Sequence, residues 1–446
     1  MVKKIFSIIF TIFLLAGVLS TGFTASAYEV TGFDVSAQYG MLASLDTDEI
    51  LYENNIDKKL YPASITKIMT AIIILESEKY NPKAEITMTR EILDMVLGTG
   101  SAVSNLREGE KFSQKDLMYL VLMSSAGDCT YLAAQYFGGS VENFVKMMNQ
   151  KAAELGLKNT NYTNPVGLHD ENNYTTVRDI FTLTKYALKN KTFKEICETS
   201  RYTMPATNLS GERNLTSTNN LQNSNTAHYY QYAKGVKTGY TDEAGRCLVS
   251  AASYGGYNYM CILMKCPTND TKHFTDSIEL YRWAFNNFSF KEVADSTEPV
   301  CEIPLELSLD TDFVPLYFKK PFITVLPNEA DSSTIVVTPK LNKDSVEAPV
   351  KKGDVLGVAE VYFAEKLIGT VDLVVGEDVK ESKLLLGVKY VKDFFSSTYM
   401  KIFYVAIAVV IIIFIILVIR LNMALIKKRK VRYIPYKEEE KNKHGR

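Results

Sequence analysis

The strongest constraint on this chain is a run near its C-terminal end, Ile402 to Ile419 (IFYVAIAVVIIIFIILVI), that contains no charged side chain. Wound as a helix at about 1.5 Å per residue, the run reaches about 27 Å, close to the hydrocarbon thickness of a bilayer. A helix buried in a globular core normally keeps some polar face. This one has none, and it reads as a transmembrane helix. Arg420, the cluster Lys427-Lys428-Arg429-Lys430 and Arg432 follow it directly. Basic residues flank a span on its cytoplasmic side, so 420–446 reads as a basic cytoplasmic tail, with the cluster setting topology rather than recruiting a partner. The other end of the chain fits this orientation. Lys3 and Lys4 precede an apolar stretch from Ile5 through Val18, and Ala25-Ser26-Ala27 supplies a small-x-small cleavage site. Residues 1–27 thus read as an export signal, with the mature chain beginning near Tyr28. Everything between signal and span is expected to lie outside the cytoplasm.

The body of the chain carries no strong field. Lys and Arg number 50 against 51 Asp and Glu, for a net charge of -1, which gives no footprint for nucleic acid. Its length, 446 residues, suits two to three domains. Residues 28–290 mix strand patterns (Tyr39 to Leu45, Gly245 to Ser253) with helical ones (Ser64 to Ser77, Gln114 to Phe137, Val141 to Leu155). From 295 to 385 the pattern changes to alternating, β-branched stretches punctuated by Gly and Pro, at Ile335 to Val337, Asp354 to Phe363 and Leu367 to Val375. That pattern predicts a small antiparallel β domain. Residues 386–401 read as a linker, with Phe394, Phe395 and Tyr399 suited to a membrane interface. Six cysteines occur at 129, 197, 247, 261, 266 and 301, none in a Cys-x-x-Cys pair, and the four histidines lack metal-ligand spacing. A structural zinc site is not expected. Export would allow some of the cysteines to form disulfides; the preferred reading is small buried apolar residues, because a domain of this size does not need disulfide staples.

Two short motifs point to chemistry. In Tyr61-Pro62-Ala63-Ser64-Ile65-Thr66-Lys67, Ser64 is the one serine of the chain with a lysine three positions on. On a helix these positions share a face one turn apart. A lysine at a helix start, if also desolvated, is disfavoured in its charged form by burial and by the positive end of the dipole, and a neutral Lys67 can take the Ser64 proton. The bland account makes Ser64 an N-cap and Lys67 an exposed helix residue. Farther on, Lys237-Thr238-Gly239 precedes the apolar stretch Cys247 to Ala252. A strand edge bearing Lys and Thr suits an anionic ligand, and Gly239 allows close backbone approach; the bland account is a turn with an exposed lysine. His169, His228 and His273 lack a Gly-x-Ser-x-Gly elbow and read as structural.

In this order the two motifs resemble those of the penicillin-recognising serine enzymes. The resemblance extends to Asn164-Pro165-Val166-Gly167-Leu168-His169, to Tyr174-Thr175-Thr176-Val177-Arg178-Asp179 and to Lys237 through Gly245. It covers roughly residues 30 to 385 and is to the low-molecular-mass penicillin-binding proteins, the serine D-Ala-D-Ala carboxypeptidases. It implies a mixed α/β fold: a β-lactamase-like transpeptidase domain with a sheet flanked by helices, plus a small antiparallel β domain and a C-terminal transmembrane helix. It implies catalytic roles for Ser64 as nucleophile, Lys67 as base and Ser125 as proton relay. Lys237, Thr238, Gly239 and Tyr240 would bind substrate, and the N–H groups of Ser64 and Tyr240 would form an oxyanion hole. Peptidoglycan stem peptides would be substrates and β-lactams inhibitors, with no metal or organic cofactor.

One element departs from the family pattern. The family's Ser-x-Asn falls here at Ser125-Ala126-Gly127, with glycine where asparagine is expected. The asparagine helps to position the lysine and holds the substrate amide in the family; here a backbone group or a water is the expected substitute. Ser217-Thr218-Asn219 has the right letters but lies too near Lys237 and is set aside. A D,D-endopeptidase acting on cross-links, a β-lactamase and a non-catalytic receptor for peptidoglycan or β-lactam are the competing readings. A β-lactamase needs neither the extra β domain nor the span. Gly127 is the feature in favour of the receptor.

Overall fold

A computed structural model describes residues 28, 30, 32–331, 334–428 and 436. The export signal and most of the basic tail lie outside the described residues. The chain forms two compact units. Of the described residues, the first holds those up to 295 together with 320–338 and 360–371; the second holds those of 296–319, 339–359 and 372 onward.

The first unit is organised by a five-stranded sheet. Its strands are β1 (Tyr39–Ser44), β2 (Ile50–Asn54), β3 (Ala233–Thr241), β4 (Gly245–Tyr254) and β5 (Tyr257–Cys266), in the order β2-β1-β5-β4-β3 with antiparallel pairing throughout. Alternation along the central strands divides the core in two. Met41, Ala43, Val249, Ala251, Met260, Ile262 and Met264 face one apolar cluster. Leu42, Leu248, Ala252, Tyr259, Cys261 and Leu263 face the other. A strand covered on both faces needs apolar residues at successive positions, which is why Cys247 to Ala252 is a nearly unbroken apolar run. Only Ser250 interrupts it, and its hydroxyl pairs with the buried Tyr281 hydroxyl at 2.9 Å.

Helices cover both faces. On the first face lie α1 (Lys67–Leu75), α2 (Gln114–Leu122), α3 (Gly127–Gly138), α4 (Val141–Glu154), α5 (Val177–Ala187) and α6 (Lys191–Glu198). On the second lies α7 (Lys272–Asn287). Their starts follow local chemistry. Ser113 and Asp116 close a capping box on α2, and Ser140, Thr176 and Asn190 cap α4, α5 and α6 with side-chain oxygens. Gly139, at φ 77°, terminates α3 in the left-handed conformation that glycine adopts without strain. The helical stretch Gln114 to Phe137 is interrupted at residues 123–126, between α2 and α3.

β6 (Phe288–Ala294) pairs antiparallel with β9 (Phe322–Pro327), both within the first unit's residues. In the second unit, β7 (Pro299–Glu306) pairs antiparallel with β8 (Phe313–Phe318), and β8 with the end of β13 (Lys366–Val375). β10 (Ile335–Leu341), β11 (Val346–Glu347) and β12 (Val355–Phe363) complete the β-rich region. The sequence between it and the apolar run is helical: α8 (Lys383–Ser396) starts at a Ser382 cap, and α9 (Thr398–Lys428) includes the whole apolar run. Within α9, Thr398–Lys427 is long and apolar enough to cross a membrane.

Candidate active site

Ser64 lies in a 3-10 turn, Ala63–Thr66, and Lys67 is the first residue of α1. The expected regular helix from Ser64 onward therefore starts one turn late. Ala63 enters that turn at φ 47°, a left-handed backbone uncommon for a residue with a side chain. The lysine follows with its amine 2.9 Å from the Ser64 hydroxyl oxygen. Lys67 is not an exposed helix residue: its side chain is fully buried. Burial holds its pKa well below the ordinary lysine value. The nearby charge of Lys237 pushes the same way, and Asp128 opposes. A buried amine held neutral beside a hydroxyl is a base within reach of a nucleophile.

A second loop fixes the amine from the other side. The Asn164 side-chain oxygen accepts from the backbone N–H groups of Val166, Gly167 and Leu168 at 3.2, 2.7 and 3.0 Å. So wound, the loop presents the Val166 carbonyl to Lys67 Nζ at 2.9 Å and the Pro165 carbonyl to the Thr70 hydroxyl at 2.7 Å. Gly167 makes this approach possible. It has φ 88°, and a Cβ there would stand 1.8 Å from the Ala63 carbonyl oxygen.

Lys237, Thr238, Gly239 and Tyr240 lie on β3, an edge strand, opposite Val249, Leu248, Cys247 and Arg246 of β4. A Cβ on Gly239 would come within 3.1 Å of the Ser64 backbone nitrogen. The missing side chain thus brings the strand edge against the nucleophile turn. Lys237 is also buried, and burial pushes its pKa down to about 7, with Cys197 pulling weakly upward. Its amine donates to the Ser125 hydroxyl and to the Thr238 carbonyl, both at 2.9 Å. Ser125 sits in the break between α2 and α3 at φ 58°. Tyr240 is half exposed, and its hydroxyl donates to Asp242 at 2.6 Å.

Ser64, Ser125, Thr238, Gly239 and Tyr240 line one cavity of about 930 Å³. The structure therefore gathers all seven sequence-singled residues: five line the cavity, and the amines of Lys67 and Lys237 lie beneath it, bonded to its two serines. The arrangement suits acyl transfer: a hydroxyl paired to a neutral base, a second hydroxyl paired to a second amine, and a strand edge able to dock an extended peptide.

Gly127 behaves differently from expectation. Its N–H donates to the Ala102 carbonyl at 2.7 Å and is already engaged. The space a side chain would take is filled: a Cβ on Gly127 would stand 2.1 Å from the Ser101 hydroxyl oxygen. Thr218, in the triplet set aside on sequence grounds, borders the cavity with its hydroxyl 2.6 Å from that of Thr238. Asn219 instead caps a short 3-10 turn by accepting from Leu221 N–H. His169 and His273 also line the cavity. His169 packs edge-on against Tyr61 at 4.6 Å, and burial first, then Arg246, lowers the pKa of His273 to about 4. All six cysteines are unpaired, and five are buried. Burial, then Asp128, holds the Cys129 thiol neutral, so it is not activated despite its place beside the turn. Among the described residues, no group of three or more His, Cys, Asp or Glu is arranged to hold a metal. Sequence reasoning missed the Val166 carbonyl, Asn164, Thr218 and Ser101. The Asn-Pro and Gly letters of 164–167 signalled a turn; nothing local signalled the others.

Residues 23–268 match the family described as D-alanyl-D-alanine carboxypeptidase, and residues 306–381 match the penicillin-binding protein 5 C-terminal domain. The chain belongs to the D-alanyl-D-alanine carboxypeptidase family of serine peptidases. It is 27% identical over 384 residues to D-alanyl-D-alanine carboxypeptidase DacF of Bacillus subtilis, covering 84% of this chain and 96% of that protein. It is 31% identical over 281 residues to a D-alanyl-D-alanine endopeptidase of Pseudomonas aeruginosa, covering 61% of this chain and 86% of that one. Among solved structures, penicillin-binding protein 5 from Haemophilus influenzae superposes with a TM-score of 0.65 at 27% identity, over 79% of this chain and all of that one.

Proposed function

We propose that this protein is a serine D-alanyl-D-alanine carboxypeptidase that trims the terminal D-alanine from peptidoglycan stem peptides, and that β-lactams acylate the same serine. The observation that carries the assignment is the buried Lys67 amine, its pKa pushed down by burial, 2.9 Å from the Ser64 hydroxyl. Lys67 takes the Ser64 proton as the oxygen attacks the carbonyl of the penultimate D-alanine. The N–H groups of Ser64 and Tyr240 stabilise the oxyanion of the tetrahedral intermediate. The proton on Lys67 passes through Ser125, itself bonded to Lys237, to the leaving D-alanine amine, which returns Lys67 to its neutral form. The C–N bond breaks, and the acyl group remains on Ser64. Water then adds to the ester with Lys67 again accepting the proton, which it returns to the Ser64 oxygen as the shortened peptide leaves. Lys237 and Thr238 hold the substrate's terminal carboxylate, whose charge favours the protonated form of Lys237.

In this reading residues 28–290 form the peptidase domain and 295–385 a β-rich domain. The apolar run 402–419 anchors the chain in the cell membrane as a single pass. The body faces outward, where cell-wall peptides are found, and the tail at 420–446 faces the cytoplasm. The division into 1–27 as signal and 386–401 as connecting segment belongs to the same proposal, with that segment helical.

The experiment is labelling of the detergent-solubilised full chain with a fluorescent penicillin, beside Ser64→Ala, followed by assay of D-alanine release from a pentapeptide. Label that disappears in the variant, together with release of D-alanine, is the expected result. Label without turnover favours the receptor reading. Absence of label on a folded parent defeats the assignment. Because a relative named as an endopeptidase is 31% identical, cross-linked muropeptide dimers are assayed in parallel; cleavage of dimers in preference to D-alanine release makes the chain an endopeptidase.

A further inference from the structure

On the side of the cavity formed by the N-terminal end of α3, the polar groups are nearly all spoken for. Ser125 accepts from Lys237 at 2.9 Å. The Gly127 N–H is bonded to Ala102, and the Thr99 hydroxyl donates to the Val96 carbonyl at 2.9 Å. Ser101 lines the same cavity, and the bond its hydroxyl donates runs to its own neighbour, the Ala102 carbonyl, at 3.3 Å. A bond that long is weak and readily exchanged for a better partner.

The segment that carries Ser101 is held at both ends. The Ala102 carbonyl is tied to Gly127 N–H. The buried Asp128 carboxylate accepts from Ser104 N–H at 3.0 Å and from the Ser104 hydroxyl at 2.6 Å. The Thr99 hydroxyl accepts from Ser101 N–H at 3.3 Å. The hydroxyl so placed stands 2.1 Å from where a Cβ of residue 127 would be. As placed, the Ser101 hydroxyl occupies the space that a side chain at 127 would take.

We propose that Ser101 is a substrate-contacting residue of this site: its hydroxyl binds the backbone amide of the stem peptide on the acyl side of the scissile bond, from the wall facing β3. A hydroxyl suits that task because it both donates and accepts. β3 offers its edge to one side of an extended peptide, and Ser101 offers the matching polar group on the other. The proposal rests on the carboxypeptidase reading and names the residue that takes over at the Gly127 position.

The test uses full-length protein in detergent and measures kcat/KM for D-alanine release, the rate of penicillin acylation and the apparent Tm. Ser101→Ala is expected to lower kcat/KM for the peptide about tenfold, the size of one lost hydrogen bond to substrate, with Tm unchanged. Ser101→Thr, which keeps the hydroxyl, is expected to retain most of the activity. Gly127→Asn alone is expected to impair acylation because its side chain collides with Ser101; adding Ser101→Gly opens the space and is expected to restore acylation. An active parent that Ser101→Ala leaves unaltered overturns the proposal while the carboxypeptidase reading stands. So does a Gly127→Asn variant that is indifferent to the residue at 101. A parent that neither labels nor turns over overturns the carboxypeptidase reading and the Ser101 proposal together.

Discussion

Two turns in this molecule are built alike and differ in reach. In each, a residue with a left-handed backbone precedes or carries a serine, a helix follows at once, and the serine hydroxyl meets a buried lysine amine at 2.9 Å. At the first, Ala63 is left-handed, and Ser64 meets Lys67 three residues on. At the second, Ser125 is itself left-handed and meets Lys237, 112 residues away on β3. The local pair is a property of one helical turn. The distant pair exists only if the sheet and the helical layer are both in place. The contact of the first pair is local, although the burial that lowers the Lys67 pKa comes from the fold around it, whereas the second serine–lysine pair depends on the first unit even for its contact. The two amines also carry different burdens. Lys67 works as a base when neutral, and burial with Lys237 nearby keeps it so. Lys237 binds a carboxylate when charged, and burial, opposed by Cys197, brings its pKa down to about 7.

The hardest break in this comparison is at the local pair. Ser64→Ala removes the nucleophile, and acylation by a fluorescent penicillin is expected to fall about 10⁴-fold or more. Lys67→Met keeps the hydroxyl and removes the base, with an expected loss of about 10³-fold in the acylation rate. If Lys67→Met acylated as fast as the parent, the base would have to be sought elsewhere in the cavity.

The support under that pair is the next point to strike. Gly167→Ala needs a Cβ 1.8 Å from the Ala63 carbonyl oxygen and a side chain at φ 88°. It is expected to cost roughly 3 kcal/mol of stability. Because the same loop holds the Val166 carbonyl on Lys67, acylation should fall along with the apparent Tm. A calorimetric scan and a labelling rate on the same sample separate the two effects; a variant that melts like the parent contradicts the packing described here.

The distant pair predicts a gentler break with its own pH signature. Lys237→Met is expected to raise KM for a carboxylate-bearing peptide about hundredfold, as expected when a buried charge partner is removed. In the free parent enzyme, kcat/KM should rise with pH as Lys67 loses its proton and fall as Lys237 loses its own, near pH 7. The thermodynamic sign follows from the same shift. Lys237 is depressed in the folded state, so between about pH 7 and 10 the unfolded chain binds the extra proton, and stability gains with pH across that window. Below about pH 7 its full destabilising contribution is present. Tm measured against pH should therefore rise less steeply in Lys237→Met than in the parent; identical slopes would mean that the amine is not depressed.

What could be read from the sequence follows the same divide between local and distant. Ser64 and Lys67 are three residues apart, and helical geometry alone brings them together. The apolar run at 402–419 was legible for a similar reason: its signal is composition, and α9 contains it whole. The alternation at Asp354 to Phe363 and Leu367 to Val375 became β12 and β13. The mixed α/β character of the body was likewise readable from its patterns. By contrast, nothing near Ser101 announced its position, because that position is set by Asp128 and Gly127 more than twenty residues on. Thr218 was passed over because nearness in sequence to Lys237 was taken as a reason against it, although a neighbouring segment is free to fold back onto the strand. Residues 386–401 lacked a clear start signal before the Ser382 cap was seen, and so read as a connection rather than as α8 and the first turn of α9.

The smallest effect comes where the two turns meet the strand. Gly239 faces both halves of the site: it belongs to the strand segment that carries Lys237, and its missing side chain leaves room for the backbone of Ser64. A Cβ there would stand 3.1 Å from Ser64 N, 3.3 Å from Ala63 Cβ and 3.3 Å from Ile65 N. These contacts are tight but not forbidding, so Gly239→Ala should shift the strand edge by a few tenths of an ångström rather than unfold it. The consequence falls on the oxyanion hole, whose proposed donors are the N–H groups of Ser64 and Tyr240 on either side of that contact. Such donors must be aimed where charge develops, and small displacements weaken them. Acylation is expected to slow about tenfold with the apparent Tm nearly unchanged. The same slowing by Gly239→Ala in the parent and in a Lys237→Met background would show that the glycine acts on the nucleophile turn alone; a loss in the double variant that differs from the sum of the two singles would show that it couples the two turns through the strand.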